Sequence, residues 1–106
     1  MAKYLLQVSY TPSGAQGVMK EGGSSRRDMV AKLLAEVGGT LDEFYFAFGE
    51  DDVICIVDVP DHATVAALSM TVGGSGAASV KTTVLLSPEE IDQAAKRSVP
   101  YRAPGQ

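Results

Sequence analysis

An α+β domain built on one four-stranded antiparallel sheet is what this sequence of 106 residues predicts. Three observations carry the prediction. The first residues alternate with a two-residue period, residues 24–37 carry an apolar stripe at helical spacing, and two strand patterns joined by a short acidic connection lead into a helix, a strand and a last helix. The length allows one domain and no second core.

In the first strand, Tyr4, Leu6, Val8 and Tyr10 alternate with Lys3, Leu5, Gln7, Ser9 and Thr11. Thr11-Pro12 ends it with helix-opening chemistry, but Gly14, Gly17, Gly22 and Gly23 predict that any helix before residue 24 is weak or interrupted. From Ser24 to Val37, Met29, Val30, Leu33, Leu34 and Val37 recur within an arc of about 140°, Ser25 and Asp28 resemble a capping box, and Gly38-Gly39 stops the helix. Thr40–Phe48 and Asp52–Val59 read as two strands joined by a hairpin at Gly49-Glu50-Asp51. Asp61 is placed to cap a helix from His62 to about Val72, Gly73–Gly76 ends that helix, and Val80–Leu86 is the fourth strand. Ser87-Pro88-Glu89-Glu90 opens a last helix through Arg97, with Lys96 and Arg97 at its negative end. The main elements run β-α-β-β-α-β, and two split β-α-β units interleave most simply with both main helices on one face, the ferredoxin-like arrangement. Residues 1–98 form this domain, and 99–106, with Pro100 and Pro104, form an extended tail.

Nine Lys and Arg against thirteen Asp and Glu give a net charge of −4, opposite to the basic footprint that nucleic acid or an anionic membrane demands. The single cysteine, Cys55, makes no intrachain disulfide, and no signal or membrane-spanning stretch is recognisable, so a reducing cytoplasm is the expected compartment.

The uncovered face of the sheet holds the functional hint. In the third strand Val53, Cys55, Val57 and Val59 are opposed by Ile54 and Ile56, and in the second Phe44, Phe46 and Phe48 by Leu41, Tyr45 and Ala47. The helix from His62 likewise has two apolar stripes: Ala63, Ala66, Ala67 and Met70 on one side, Val65, Leu68 and Val72 on the other. Apolar surface on two sides calls for cover on two sides, and the last helix offers only Ile91, Ala94 and Ala95. A second copy of the chain, packed sheet face to sheet face, is therefore the expected partner. Charge is also segregated, since residues 33–80 hold eight acids and no Lys or Arg. Such asymmetry favours the alignment of neighbouring subunits.

Several pieces together resemble the GYD domain family. They are Tyr10-Thr11-Pro12-Ser13-Gly14, Gly38-Gly39 before Phe44-Tyr45, Phe48-Gly49-Glu50-Asp51-Asp52, Asp58-Val59-Pro60-Asp61, the turn Gly73–Gly76, and Val80-Lys81-Thr82-Thr83 ahead of Ser87-Pro88-Glu89-Glu90. They span about residues 3–92 in the expected order; the tyrosine of the motif that names the family is replaced here by Asp51. The resemblance implies a ferredoxin-like subunit that oligomerises as a dimeric α+β barrel, and it names no reaction.

Individual residues offer little dedicated chemistry. His62 is the lone histidine and reads as a solvated helix-start residue, Cys55 as a buried thiol, and Gly73–Gly76 as a turn rather than a phosphate loop. Glu50, Asp51 and Asp52 read as a solvated hairpin tip, of which Asp52, the retained family position, is the one expected to matter. Arg26 falls on the apolar side of its helix, where it either snorkels or clamps a carboxylate. Polar residues interspersed on the strands, Gln7, Ser9, Tyr45, Lys81 and Thr83, would line a mixed pocket if they share the uncovered face. The expected ligand-binding set is Gln7, Ser9, Tyr10, Arg26, Tyr45, Asp52 and Thr83, with no metal and no cofactor. The leading expectation is a self-associating module binding a small molecule at the subunit interface. The alternatives are a cofactor-free enzyme using Tyr45, Tyr10 or His62 as acid and base, and a purely structural assembly subunit.

Overall fold

The computed structural model describes residues 2–106. Its elements are β1 (Ala2–Tyr10), α1 (Pro12–Glu21), α2 (Gly23–Glu36), β2 (Thr40–Phe46), β3 (Val53–Val59), α3 (His62–Gly74), β4 (Ala78–Leu85) and α4 (Pro88–Ala95). The strands form one sheet in the order β2-β3-β1-β4, with every neighbouring pair antiparallel. This is the ferredoxin-like α+β arrangement predicted from the element order. The two strands with the most apolar sequences, β1 and β3, take the centre, where both backbone edges are paired.

The two-residue period sorts side chains onto the faces. Tyr4, Leu6, Cys55, Val57 and Val59 point toward the helices and are buried, meeting Leu34 of α2 and Val65 of α3. Half-buried Val30, Leu41, Phe44, Leu68 and Val80 surround that core. Lys32 and Glu36 of α2 are exposed, as their helical phase demands.

Local chemistry explains the element boundaries, with some departures from expectation. The stretch after β1 forms a continuous helix despite its glycines, because its start is tied down. Thr11 caps it by accepting from the Gly14 amide, while the Thr11 amide donates to Ala77 O at 2.9 Å and its hydroxyl donates to Gly76 O at 2.9 Å. Gly14 is required there, since a Cβ would lie 2.0 Å from Ala77 O. The expected Ser25–Asp28 capping box is absent: α2 starts earlier, at Gly23, with Gly22 (φ 93°) before it and no side-chain cap, and the Ser25 hydroxyl donates to Glu21 instead. Gly38, at φ 80°, ends α2 as predicted.

β2 is shorter than expected, and Phe48 lies outside it, fully exposed. A bulge between Leu41 and Glu43 leaves Asp42 unpaired in the ladder, so Leu41 opposite Val57 and Phe44 opposite Cys55 share the helix face. Leu41 is therefore not opposed to Phe44, contrary to a strict alternation. α3 extends to Gly74, capped by Asp61, whose carboxylate accepts from the Thr64 amide and hydroxyl at 2.8 and 2.7 Å. Those bonds hold the Asp61 carboxyl below the usual carboxylate range. Val65, Leu68 and Val72 of α3 face inward, while Ala63, Ala66, Ala67 and Met70 remain exposed.

The last helix has its full Ser87–Glu90 capping box but ends at Ala95, before Lys96 and Arg97. None of its residues is buried. The radius of gyration is 17.0 Å and the longest dimension 57 Å, where a compact chain of this length has a radius near 13 Å, about. Residues 86–106 account for this as an arm whose Leu86, Ile91, Val99 and Tyr101 are half to three-quarters exposed.

The contrast between two glycines of α1 gives a direct check on this packing. Gly14→Ala should lower unfolding stability by about 1–3 kcal/mol through overpacking against fixed backbone. Gly17→Ala, with nothing within 4 Å, should raise it by about 0.4–1 kcal/mol. Urea denaturation monitored by circular dichroism reads both.

Candidate functional site

The strand register brings most of the predicted polar residues to the face that no helix covers. Gln7 stands opposite Lys81 and Ile54, Ser9 opposite Ser79, Leu5 opposite Thr83 and Ile56, and Tyr45 opposite Ile54. Gln7, Ser9, Tyr45, Lys81 and Thr83 therefore share one surface with Leu5, Ile54 and Ile56. Tyr45 is 63% exposed and Ile54 36% exposed.

Each end of this face is closed by charge. At one end the β2–β3 connection folds back over β1. The Asp52 amide donates to Val8 O at 2.8 Å, the Asp52 carboxylate accepts from the Tyr10 amide at 2.8 Å, and the Ala47 amide donates to Asp52 O at 2.9 Å. These bonds tuck Asp51 inward. Its carboxylate accepts from the Gln7 amide and the Ser9 hydroxyl, each at 3.1 Å, and pairs with the Lys81 ammonium at 3.2 Å. Asp51 is only 8% exposed, so it is not the solvated hairpin-tip residue that three consecutive acids suggest. A buried carboxylate persists because it is matched by donors and a cation. The Asp52 carboxylate accepts from an amide of β1 and not from its own turn, while Asp51 gathers Gln7, Ser9 and Lys81.

At the other end Lys3 pairs with Asp42, supplied by the bulge, and with Asp58 at 3.3 Å. The Lys3 ammonium holds the Asp42 carboxyl below its ordinary range, with burial opposing and the Thr40 hydroxyl assisting. In turn Asp42, then Asp58, raises the lysine. Between the two clusters the Glu43 carboxylate raises Tyr45, so that its phenol stays protonated and acts as a hydrogen-bonding group, not as a base, near neutral pH.

Two members of the expected ligand set lie elsewhere. Tyr10 and Arg26 sit on the opposite side of the sheet, at the cavity between it and the helices. Cys55 also points to that side, and burial pushes its thiol up to about 11, which keeps it protonated and unreactive. His62 is exposed but not merely solvated: Nδ1 shares a hydrogen bond with the hydroxyl of buried Tyr4, and the rings meet edge to face with centroids 5.7 Å apart. Tyr45, Tyr10 and His62 thus occupy three separate locations and form no acid–base pair. Among the described residues no group of three His, Cys, Asp or Glu could hold a metal ion. Among the described residues no helix is long and apolar enough to cross a membrane. Gly73–Gly76 terminates α3, with Gly76 at φ 79°.

Asp51 was missed because its exposure depends on register. Gln7, Ser9 and Lys81 converge only when β1 is paired simultaneously with β3 and β4. The one local signal was that three acids lie within reach of a strand whose outward positions are polar.

The fold and this face define a small α+β protein with one helix-covered sheet face and one charged-ended, partly apolar open face. Residues 4–95 match the GYD domain family model, and the chain belongs to the GYD domain family. No curated protein and no solved structure matches the chain.

Two measurements test the site. Asp51→Ala, which strands the Gln7 and Ser9 donors, should cost about 1–3 kcal/mol in urea denaturation, whereas Lys81→Met, which leaves both of those donors on the carboxylate, should cost less. Cys55 should resist a disulfide reagent at pH 8 in the folded protein and react in full once it is unfolded in denaturant.

Proposed function

We propose that this protein is a self-associating binding module in which two copies pack open face to open face and enclose a small organic ligand between them. One observation carries the reading: the register puts Leu5, Ile54, Ile56 and Tyr45 on the same uncovered surface as Gln7, Ser9 and Thr83. Ile54 is 36% and Tyr45 63% exposed, while Leu5 and Ile56 are half-buried, so covering them recovers a fraction of the roughly 1.5–3 kcal/mol that complete burial of such a side chain gives. Summed over the strip, and set against the roughly 5–15 kcal/mol stability of an ordinary domain, that favours a partner.

A second copy suits the surface because its acids and cations alternate along the strip, from Lys3–Asp42–Asp58 at one end to Lys81–Asp51 at the other. A twofold arrangement places the same patch on both partners. The projecting arm supports the same reading. Its helix is short, is capped by its own residues and buries nothing, so packing against another subunit supplies the stabilisation that eight residues lack alone. The polar groups of the strip would fix a ligand's orientation, and the apolar ones would supply its contact area. The dimeric α+β barrel is this proposed assembly. The enzyme alternative draws no support from the separate placement of Tyr45, Tyr10 and His62.

Native mass spectrometry tests the proposal, with a dimer of twice 11.1 kDa expected and any retained ligand read as added mass. Ile54→Lys should convert it to the single-chain mass at equal concentration. A wild-type chain that stays monomeric at about 100 μM, a concentration well above the Kd of specific dimers, would overturn it; a dimer with no ligand and no solvent-filled interface would favour the structural subunit.

A further inference from the structure

The cavity on the other side of the sheet contains a charge without a counterpart. It lies between the sheet and the α2–α3 layer, with Val8, Phe44 and Val53 below it and Met29, Leu33 and Val72 around it. Its volume is about 80 Å³, against the 10–15 Å³ or so that one water needs. Arg26, in the first turns of α2, lines it, and the Arg26 Nε is buried with no hydrogen-bond partner.

Among the described residues no carboxylate lies within 4 Å of the Arg26 guanidinium. Asp28, the nearest acid on the same helix, pairs with Arg27 in solvent. The few other polar groups at the cavity do not answer it. The Ser69 hydroxyl is engaged with Thr82 at 2.8 Å, the Cys55 thiol is neutral, and Tyr10 offers a hydroxyl and no carboxylate. Arg26 as a whole is half-buried, and inside the cavity water is a poor substitute at Nε, because an apolar lining leaves it without the two to four partners that hold a buried water. The N-terminus of α2 has no side-chain cap, so the positive end of its dipole adds to the potential around the guanidinium.

We propose that this cavity is a binding site for a small apolar monocarboxylate, one aromatic ring or a short chain carrying a single carboxylate, whose anionic end pairs with Arg26. The guanidinium's planar fork matches a carboxylate. The walls accept the hydrocarbon part, and the volume suits a single ring and not a long acyl chain. The site lies within one subunit on the face opposite the proposed dimer contact, so it stands whether or not the chain dimerises.

Benzoate and its neutral counterpart benzyl alcohol separate the charge requirement from simple filling of an apolar space. Titration of the full ¹⁵N-labelled chain should show benzoate saturating with a Kd of about 1 mM or tighter, shifting the amides of Val8, Arg26 and Val72. Benzyl alcohol should bind at least tenfold more weakly. Arg26→Met should weaken benzoate at least tenfold and leave benzyl alcohol unchanged, and Arg26→Lys should recover part of the loss. Should Arg26→Met fail to fold, the acid-against-alcohol comparison on the wild-type chain decides. The monomeric Ile54→Lys variant should retain benzoate binding, which keeps this result independent of self-association. Equal affinity for acid and alcohol, no saturation of benzoate by about 10 mM, ten times that limit, or shifts confined to Gln7, Tyr45 and Thr83 would each overturn the proposal.

Discussion

The antiparallel pairing of β1 with β3 on one edge and β4 on the other is the constraint on which everything else in this molecule rests. Because side chains alternate along a strand, the register that sends Tyr4 and Leu6 into the helix layer also sends Leu5, Gln7 and Ser9 to the open side. A slip of one residue would exchange the two sets, placing Gln7 against Leu34 and Val65 and leaving Leu6 in water. Burial of the core thus determines which residues form the open surface. No separate device is needed to assemble it.

Charge then pins the register from both ends. Lys3 meets Asp42 and Asp58 where β1 begins, and Asp51 meets Gln7, Ser9 and Lys81 where it nears its end. Exposed ion pairs add little net stability, but a half-formed arrangement would strand the 8%-exposed Asp51 carboxylate, and that penalty disfavours alternative pairings. Asp51 puts a carboxylate at the end of the open face, matched by a lysine from β4. The bulge at Asp42 serves the opposite end in a similar way: one extra residue turns Leu41 inward while delivering a carboxylate to Lys3.

The molecule is unevenly finished. Its helix-side core is well covered at Leu34, Val57 and Val59, yet the open strip, the outer side of α3 and the arm of residues 86–106 leave apolar groups in solvent. A self-capped helix without tertiary burial and a sheet face with exposed Ile54 and Tyr45 are the features on which the proposed self-association rests. The cavity beside Arg26 differs in kind, since what it lacks is a single negative charge and not a surface.

Much of this was legible in the chain itself. Alternation in β1 and β3, the apolar stripe of α2, the Asp61 and Ser87 caps and the stop at Gly38 are local, because strand period, helix period and capping depend on residues within a few positions of one another. The GYD resemblance followed from the same patterns, whereas the common face of Gln7, Ser9, Tyr45 and Thr83 awaited the strand register. What only the tertiary structure decided is long-range. Thr11 and Gly14 stabilise α1 through Ala77, more than sixty residues away, which glycine content alone could not reveal. Asp51 becomes buried through partners on two other strands, the bulge reassigns Leu41, and Tyr10 and Arg26 part from the rest of the expected ligand set. Each of these depends on pairing between strands distant in sequence, where the energy of a contact is set by what the fold brings near and not by neighbours along the chain.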